Sequence, residues 1–229
     1  MKFKEMNLPN KLTTIRMWCV PLVIVLFALF LLNSAGIVSS DVYLFISYNN
    51  CEAEHCLVSK VSETYFLTLN QLLIAIVFIF ASITDFVDGH LARKNNLVSD
   101  YGKLMDPLAD KLLVNTTLIC MLMSKMFLFN NEIVAIYNLI PMIFAVLTIA
   151  RDFFVDALRM QALKKNAVVP ASIYGKLKTA TLMPGIAILL FGSANFIIYC
   201  IGLLLVTLGG LFALIGGIKY FNALKQYID

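Results

Sequence analysis

The chain has 229 residues, 60% of them hydrophobic and only 14% charged, with a net charge of +4 and a mean hydropathy of +0.85. A soluble domain is about half apolar and about a quarter charged, so an ordinary soluble fold is excluded. The apolar stretches are continuous rather than alternating, which predicts an all-α polytopic membrane protein and argues against a β-barrel. A basic balance also suits nucleic acid, but the Lys and Arg residues sit mostly at the ends of apolar runs, where they orient helices and meet anionic lipid headgroups. No nucleic-acid motif is present.

Residues 1–16 are polar and basic, with Lys2, Lys4, Lys11 and Arg16 around Pro9 and Asn10, and read as a short cytoplasmic juxtamembrane segment. The run Met17 to Leu32 follows as an uncleaved signal-anchor span with its basic end inside. Ser34, Ala35 and Gly36 offer a cleavage-like site, the weaker reading. Residues 34–64 are the long polar interruption, carrying Asp41, Glu52, Glu54, His55 and Glu63 against one basic residue, Lys60, and are expected outside the cytoplasm. There Cys51 and Cys56 stand equally well as a disulfide or as free thiols. A metal site built on Cys51, His55 and Cys56 lacks a fourth ligand.

The second span, Tyr65 to Thr84, returns the chain to the side where Arg93, Lys94 and Lys103 gather. The third is expected over Leu112 to Phe129, and the fourth over Ile133 to Ala150, stopping at Arg151-Asp152. Ala180 to Ile218 is too long for one crossing of about 20 residues, and Gly192-Ser193-Ala194-Asn195 is the turn that divides it. The result is one membrane domain, residues 1–229, with six transmembrane helices. Lys219 and Lys225 place the C-terminus inside with the N-terminus. Gly209-Gly210 and Gly216-Gly217 read either as close helix packing or as a dimer seam.

Asp85 to Asp110, DFVDGHLARKNNLVSDYGKLMDPLAD, is the polar exception. On helices Asp85 and Asp88 are i,i+3 neighbours, and Asp106 and Asp110 are i,i+4 neighbours, so each pair projects from one face. If Lys94 to Tyr101 turns the chain back, the pairs face each other. Four carboxylates at the edge of a low-dielectric region repel, and each costs roughly a few kcal/mol or more to desolvate unless cations share the space. Oxygen ligands without Cys or His partners suit Mg2+ or Mn2+, two ions in all, which complete their shells with water and substrate phosphate. Any single aspartate reads equally as a helix cap or a partner of nearby Lys or Arg. Four in register beside Gly89, Ala92 and Gly102 favour the ligand reading. His90 among them reads as structural.

The run Asp85-x-x-Asp88-Gly89-x-x-Ala92-Arg93, eight residues, Gly102-x-x-x-Asp106-x-x-x-Asp110 resembles the signature of the CDP-alcohol phosphatidyltransferase family, with each fixed position filled. The resemblance implies metal-dependent displacement of CMP from a CDP-linked donor by an alcohol. It implies that Asp85, Asp88 and Asp106 hold two metal ions and that Asp110 takes the hydroxyl proton, with or without touching the second metal. Gly89, Ala92, Arg93, Ser99 and Gly102 would serve the CDP moiety. Gly89 and Ala92 suit tight helix packing equally well.

Asn7-Leu8-Pro9-Asn10-x-x-Thr13-x-x-Arg16 is similar to the N-terminal segment of bacterial family members that use glycerol 3-phosphate, and places Asn10, Thr13 and Arg16 near the nucleotide. Without that resemblance Asn10 or Thr13 would be read as helix caps. Gly175-Lys176-x-Lys178-Thr179 resembles a second phrase of the same branch. Arg151, Lys176 and Lys178 are thus candidates for an acceptor phosphate, against the alternatives of an ion pair for Arg151 and membrane anchoring for the lysines. The implied partners are CDP-diacylglycerol, glycerol 3-phosphate, membrane lipids and a second copy of the chain as a homodimer, at the cytoplasmic face of a bacterial plasma membrane. Inositol phosphate, serine or phosphatidylglycerol as acceptor is the sister reading, and a small ion-coupled transporter the reading from another class.

The charge distribution makes a topological prediction. Alkaline phosphatase fused after Cys56 is expected to be active outside the cytoplasm of a bacterial host, and the same reporter fused after Asp229 inactive. The opposite pattern would invert the orientation.

Overall fold

The computed structural model describes residues 8–34, 43–47, 65–94, 100–124, 132–164, 173–191 and 196–224, with side chains described for 10–32, 69–84, 105, 108–124, 139–162, 173–191 and 197–224. In order these form α1 (Leu8–Ser34), β1 (Tyr43–Ser47), β2 (Tyr65–Thr68), α2 (Leu69–Lys94), α3 (Asp100–Met123), α4 (Glu132–Lys164), α5 (Ile173–Phe191) and α6 (Phe196–Leu224). The helical membrane architecture expected from the sequence is the observed one, with one short two-stranded sheet added among the described residues. Among the described residues, Asn10–Leu32 and Ile197–Leu224 are long and apolar enough to cross a bilayer, and Leu69–Thr84 is a shorter apolar stretch.

The elements fall into two compact units, one holding α1, β1, β2, α2 and α3, the other α4, α5 and α6. In the first, α1 packs on both α2 and α3. Its buried positions Asn10, Thr13, Arg16, Cys19, Val23 and Phe27 recur every three or four residues, one stripe of a helix. The rest of its circumference exposes Ile15, Trp18, Leu22, Ile24, Val25, Leu29 and Leu32. Apolar residues outward and polar ones inward reverse the pattern of a water-soluble helix, and lipid is the solvent that fits it. Helix α1 begins at Leu8, so residues 8–16 of the segment expected as a juxtamembrane lead are helical and continuous with the span.

The second span starts four residues later than expected. Tyr65–Thr68 pairs antiparallel with Tyr43–Ser47, with an irregularity between Tyr43 and Phe45. Both segments are aromatic and β-branched, and they fit a pleated ladder as well as a helix; pairing decided the matter. Open sheet edges are excluded from hydrocarbon, so this ribbon belongs on the polar side of the helix it feeds.

In the second unit α6 packs on both α4 and α5. A methyl group at Gly185 on α5 would meet Val206 N and Leu205 Cβ of α6 at 3.0 Å, one at Gly202 would meet Leu189 Cγ at 2.8 Å, and one at Gly209 would meet Leu182 Cβ at 3.0 Å. These contacts pair residues in opposite order along α5 and α6, as an antiparallel hairpin requires. Gly210 faces Phe144 Cβ at 2.6 Å and Gly217 faces Arg151 Cγ at 3.0 Å, residues advancing in step, so α4 and α6 run parallel. Of the two readings of the α6 glycines, Gly209, Gly210 and Gly217 therefore serve helix packing within the chain.

Helix α4 does not stop at Arg151 but runs on to Lys164. The extension has neither Gly nor Pro, and its buried residues Asp152, Val155, Leu158 and Ala162 make it amphipathic. Val155, Leu158 and Ala162 join Tyr220 and Leu224 in one buried cluster. Arg159 Nε donates to Tyr220 Oη at 3.1 Å and lies 5.3 Å from that ring's centre. Lys219 Nζ donates likewise to Tyr174 Oη at 3.0 Å. Hydroxyls inside the helices return to their own backbones, Thr117 to Leu113 O and Thr148 to Phe144 O at 2.8 and 2.7 Å, which satisfies them without water. Cys19, Cys120 and Cys200 are free thiols; Cys51, His55 and Cys56 lie outside the described residues.

Gly210→Ala is expected to lower the thermal unfolding midpoint of the detergent-purified protein, because backbone-proximal Phe144 Cβ cannot yield; overpacking of this kind costs about 1–3 kcal/mol. Gly202→Ala, which meets the end of a Leu side chain, should shift the midpoint less.

Candidate functional site

The apolar part of α2 ends at Thr84, whose hydroxyl donates to Ala81 O at 2.7 Å. The same helix continues without a break through Asp85, Asp88, Gly89, Ala92 and Arg93 to Lys94. Helix α3 opens at Asp100 and carries Gly102, Asp106 and Asp110 in its first three turns. The helical spacing expected of both aspartate pairs is therefore present in the backbone: i,i+3 on α2 and i,i+4 on α3. Ser99, and the side chains of Asp85, Asp88, Gly89, His90, Ala92, Arg93, Gly102 and Asp106, lie outside the described residues. Asp110 is half-buried beside the fully buried Ala109 and engages in a polar or electrostatic contact.

The first two turns of α1 bring a second set of candidates into the same unit. Asn10, Thr13 and Arg16 are 2%, 0% and 0% exposed, spaced three apart on the helix face that α1 turns inward, and each is engaged in a polar or electrostatic contact. A fully buried guanidinium in a membrane helix is tolerable only where anionic or accepting groups surround it. One unit thus holds the N-terminal phrase on α1 and both aspartate helices. Its acidic donors are oxygen-only, the set that suits a hard divalent ion.

The basic candidates belong to the other unit. Arg151 Nη1 donates to Asp152 Oδ1 at 3.1 Å, and Lys178 Nζ, on α5, donates to Asp152 Oδ2. Asp152 is 2% exposed. Arg151 Nε is buried and has no hydrogen-bond partner among the described residues. The structure brings Arg151 and Lys178 together on one carboxylate, while Lys176 is exposed. Asp152 was missed as a site candidate; the Arg151-Asp152 doublet closing an apolar run was its only signal in the sequence.

Residues 53–208 match the CDP-alcohol phosphatidyltransferase family, and the chain belongs to that family. Family members depend in general on divalent metal ions. The chain is 34% identical over 226 residues, 97% of its length and 98% of the other's, to the CDP-diacylglycerol--glycerol-3-phosphate 3-phosphatidyltransferase of Rickettsia prowazekii (strain Madrid E). It is 39% identical over 162 residues to the protein of the same name from Rickettsia bellii (strain RML369-C), covering 69% of this chain and 82% of that one. The like-named protein of Bacillus subtilis (strain 168) is 35% identical over 150 residues, 65% of this chain and 71% of its own.

The burial difference between the two lysines is measurable. Lys178→Met leaves Asp152 with one cation instead of two and should cost about 1–3 kcal/mol of stability, whereas Lys176→Met, at an exposed position, should stay within about 0.5 kcal/mol; denaturant unfolding in mild detergent compares them.

Proposed function

We propose that this protein transfers the phosphatidyl group of CDP-diacylglycerol to sn-glycerol 3-phosphate, giving phosphatidylglycerophosphate and CMP. The observation that carries the choice of acceptor is the meeting of two cations, the half-buried Arg151 and the buried Lys178, on the carboxylate of Asp152. Two cations of this kind suit an acceptor that brings its own phosphate, because guanidinium and ammonium groups both bind phosphate oxygens. Relatives bearing this activity in their names, one aligned over nearly the whole chain, support the same reading.

In this proposal Asp85, Asp88 and Asp106 hold two divalent ions, Mg2+ or Mn2+, as an all-carboxylate set of ligands suits. Such ions, when bound, supply neutralisation of the charge that develops on the departing CMP. Asn10, Thr13 and Arg16 on α1, with Arg93 and Ser99, take the CDP moiety, and Gly89, Ala92 and Gly102 leave it room. Asp110 accepts the proton of the acceptor's hydroxyl. That oxygen bonds to the phosphorus carrying diacylglycerol, the bond from this phosphorus to the bridging oxygen breaks, and CMP leaves with the electron pair. Arg151, Lys178 and Lys176 receive the acceptor's phosphate. The lipid enters from the inner leaflet of a bacterial plasma membrane and the acceptor from the cytosol, and the protein works as a homodimer.

A sister reaction with inositol phosphate, serine or phosphatidylglycerol would use the same aspartates; serine, which carries no phosphate, makes less use of Arg151 and Lys178. The transporter reading has no place in this family. In the test, purified protein is incubated with CDP-diacylglycerol and a panel of labelled alcohols. Release of CMP is expected with glycerol 3-phosphate, to be lost in EDTA and restored by Mg2+ or Mn2+. Asp88→Ala should abolish turnover in a protein of unchanged helical circular dichroism, and Asp110→Asn should slow it by about 10²–10⁴-fold. Full turnover with another acceptor and none with glycerol 3-phosphate would replace the acceptor; no CMP with any of them would remove the activity.

A further inference from the structure

Helices α5 and α6 carry no aspartate or glutamate anywhere along their length. Lys178 is met by Asp152 from α4, whereas Lys219, near the end of α6, is exposed and forms no ion pair among the described residues. Its Nζ donates instead to Tyr174 Oη at 3.0 Å and lies 4.3 Å from the centre of that ring. A lysine at a helix end ordinarily samples many rotamers; here a hydrogen bond and an aromatic face hold it. An ammonium has three N–H groups, and one of them goes to Tyr174. The phenol accepts that bond and keeps its own O–H to donate.

The apolar part of α6 before Lys219, from Ile197 to Ile218, is about 33 Å long at 1.5 Å per residue, close to the roughly 30 Å of a hydrocarbon core. Lys219 therefore stands at the level of the lipid phosphates. Leu208, Phe212, Ile215 and Lys219 recur every three or four residues, so they share one stripe of α6; Ile215 is exposed and the other two apolar residues are half-buried. Tyr174, Leu177 and Thr181 form the facing stripe of α5. Leu177 is exposed, and Thr181 lies on the seam, with Oγ1 3.1 Å from where a methyl group on Gly209 would sit. The Thr181 hydroxyl donates to Leu177 O at 2.9 Å, which satisfies it without water. An apolar track along the seam thus ends, at phosphate level, beneath one positive charge and a phenol.

We infer that the seam between α5 and α6 holds one anionic phospholipid, with its phosphate on Lys219 Nζ and Tyr174 Oη and an acyl chain along Leu177, Phe212 and Ile215. Basic positions between membrane helices at the bilayer surface are where acidic headgroups bind. A zwitterionic headgroup would bring its own cation to a hairpin that has no carboxylate to receive it; an acidic headgroup brings only the complementary charge. Neither Lys219 nor Tyr174 belongs to the residues proposed for the donor or the acceptor, so this lipid is a bound companion of the protein and not a substrate.

In the experiment, full-length protein in nanodiscs of equimolar phosphatidylcholine and phosphatidylglycerol is released into neutral detergent, and the lipid it retains is identified by native mass spectrometry. The wild type is expected to keep one phosphatidylglycerol per chain, enriched about tenfold or more over phosphatidylcholine, the scale of a charge-assisted hydrogen bond to phosphate. Lys219→Gln should bring the ratio close to one, and Tyr174→Phe, which keeps the ring, should lower it about threefold. Ile215→Trp, at an exposed position, fills the track without changing charge and should release the lipid. Lys11→Gln removes a cation from α1 and should leave retention unchanged. Equal retention of the two lipids by the wild type, an undiminished preference in Lys219→Gln, or an equal loss in Lys11→Gln overturns the site. No turnover is measured, so either result leaves the acceptor assignment untouched.

Discussion

An ionised side chain removed from water costs several kcal/mol unless another charge or a set of hydrogen bonds meets it, and in a chain this apolar the constraint governs where every charge lies. Each unit answers it in its own way. In the first, Asn10, Thr13 and Arg16 share the inward stripe of α1 with Cys19, Val23 and Phe27, so one helix face is polar at one end and apolar at the other. In the second, Arg151 and Lys178 converge on Asp152, which almost no water reaches. Lipid cannot solvate these groups, so their positions are set by one another. That is also what a site for charged phosphates needs.

The same solvent dictates how the helices meet. Hydrophobic burial discriminates little between lipid and protein for residues such as Leu204 or Ile218, which stay exposed on α6, so close packing at small residues does the work. Gly185, Gly202, Gly209 and Gly210 let α5 and α4 approach α6 until backbone and Cβ atoms nearly touch. Gly217 continues this row but receives Arg151. A packing device and a charged cluster thus adjoin on one helix, and the geometry of the cluster inherits the rigidity of the packing.

Much of the fold was legible because hydropathy and helical spacing are local properties. The long apolar run divides where its small residues suggested, with α5 ending at Phe191 and α6 beginning at Phe196, and both aspartate pairs fall on helices. The departures share a physical cause. Tyr65–Thr68 left the second span because strand pairing with Tyr43–Ser47 is a long-range choice that aromatic and β-branched residues permit but do not announce. Helix α4 passed Arg151 because an amphipathic extension needs a partner, here Tyr220 and Leu224, and a hydropathy run stops where charge begins. Asp152, one residue from a named candidate, is assigned a role only by a lysine on the next helix.

By itself the sequence determined the membrane class, the helical architecture and the family, since composition, the length of apolar runs and the spacing of four aspartates are readable along one dimension. It also supplied Arg151 and Lys178 as charges without saying whether they act together. Tertiary structure alone decided that they share Asp152, that Gly217 packs against the Arg151 side chain, and that the α6 glycines pack within the chain. Those facts depend on which faces of α4, α5 and α6 come together, and the side chains that select those faces lie far apart along the chain.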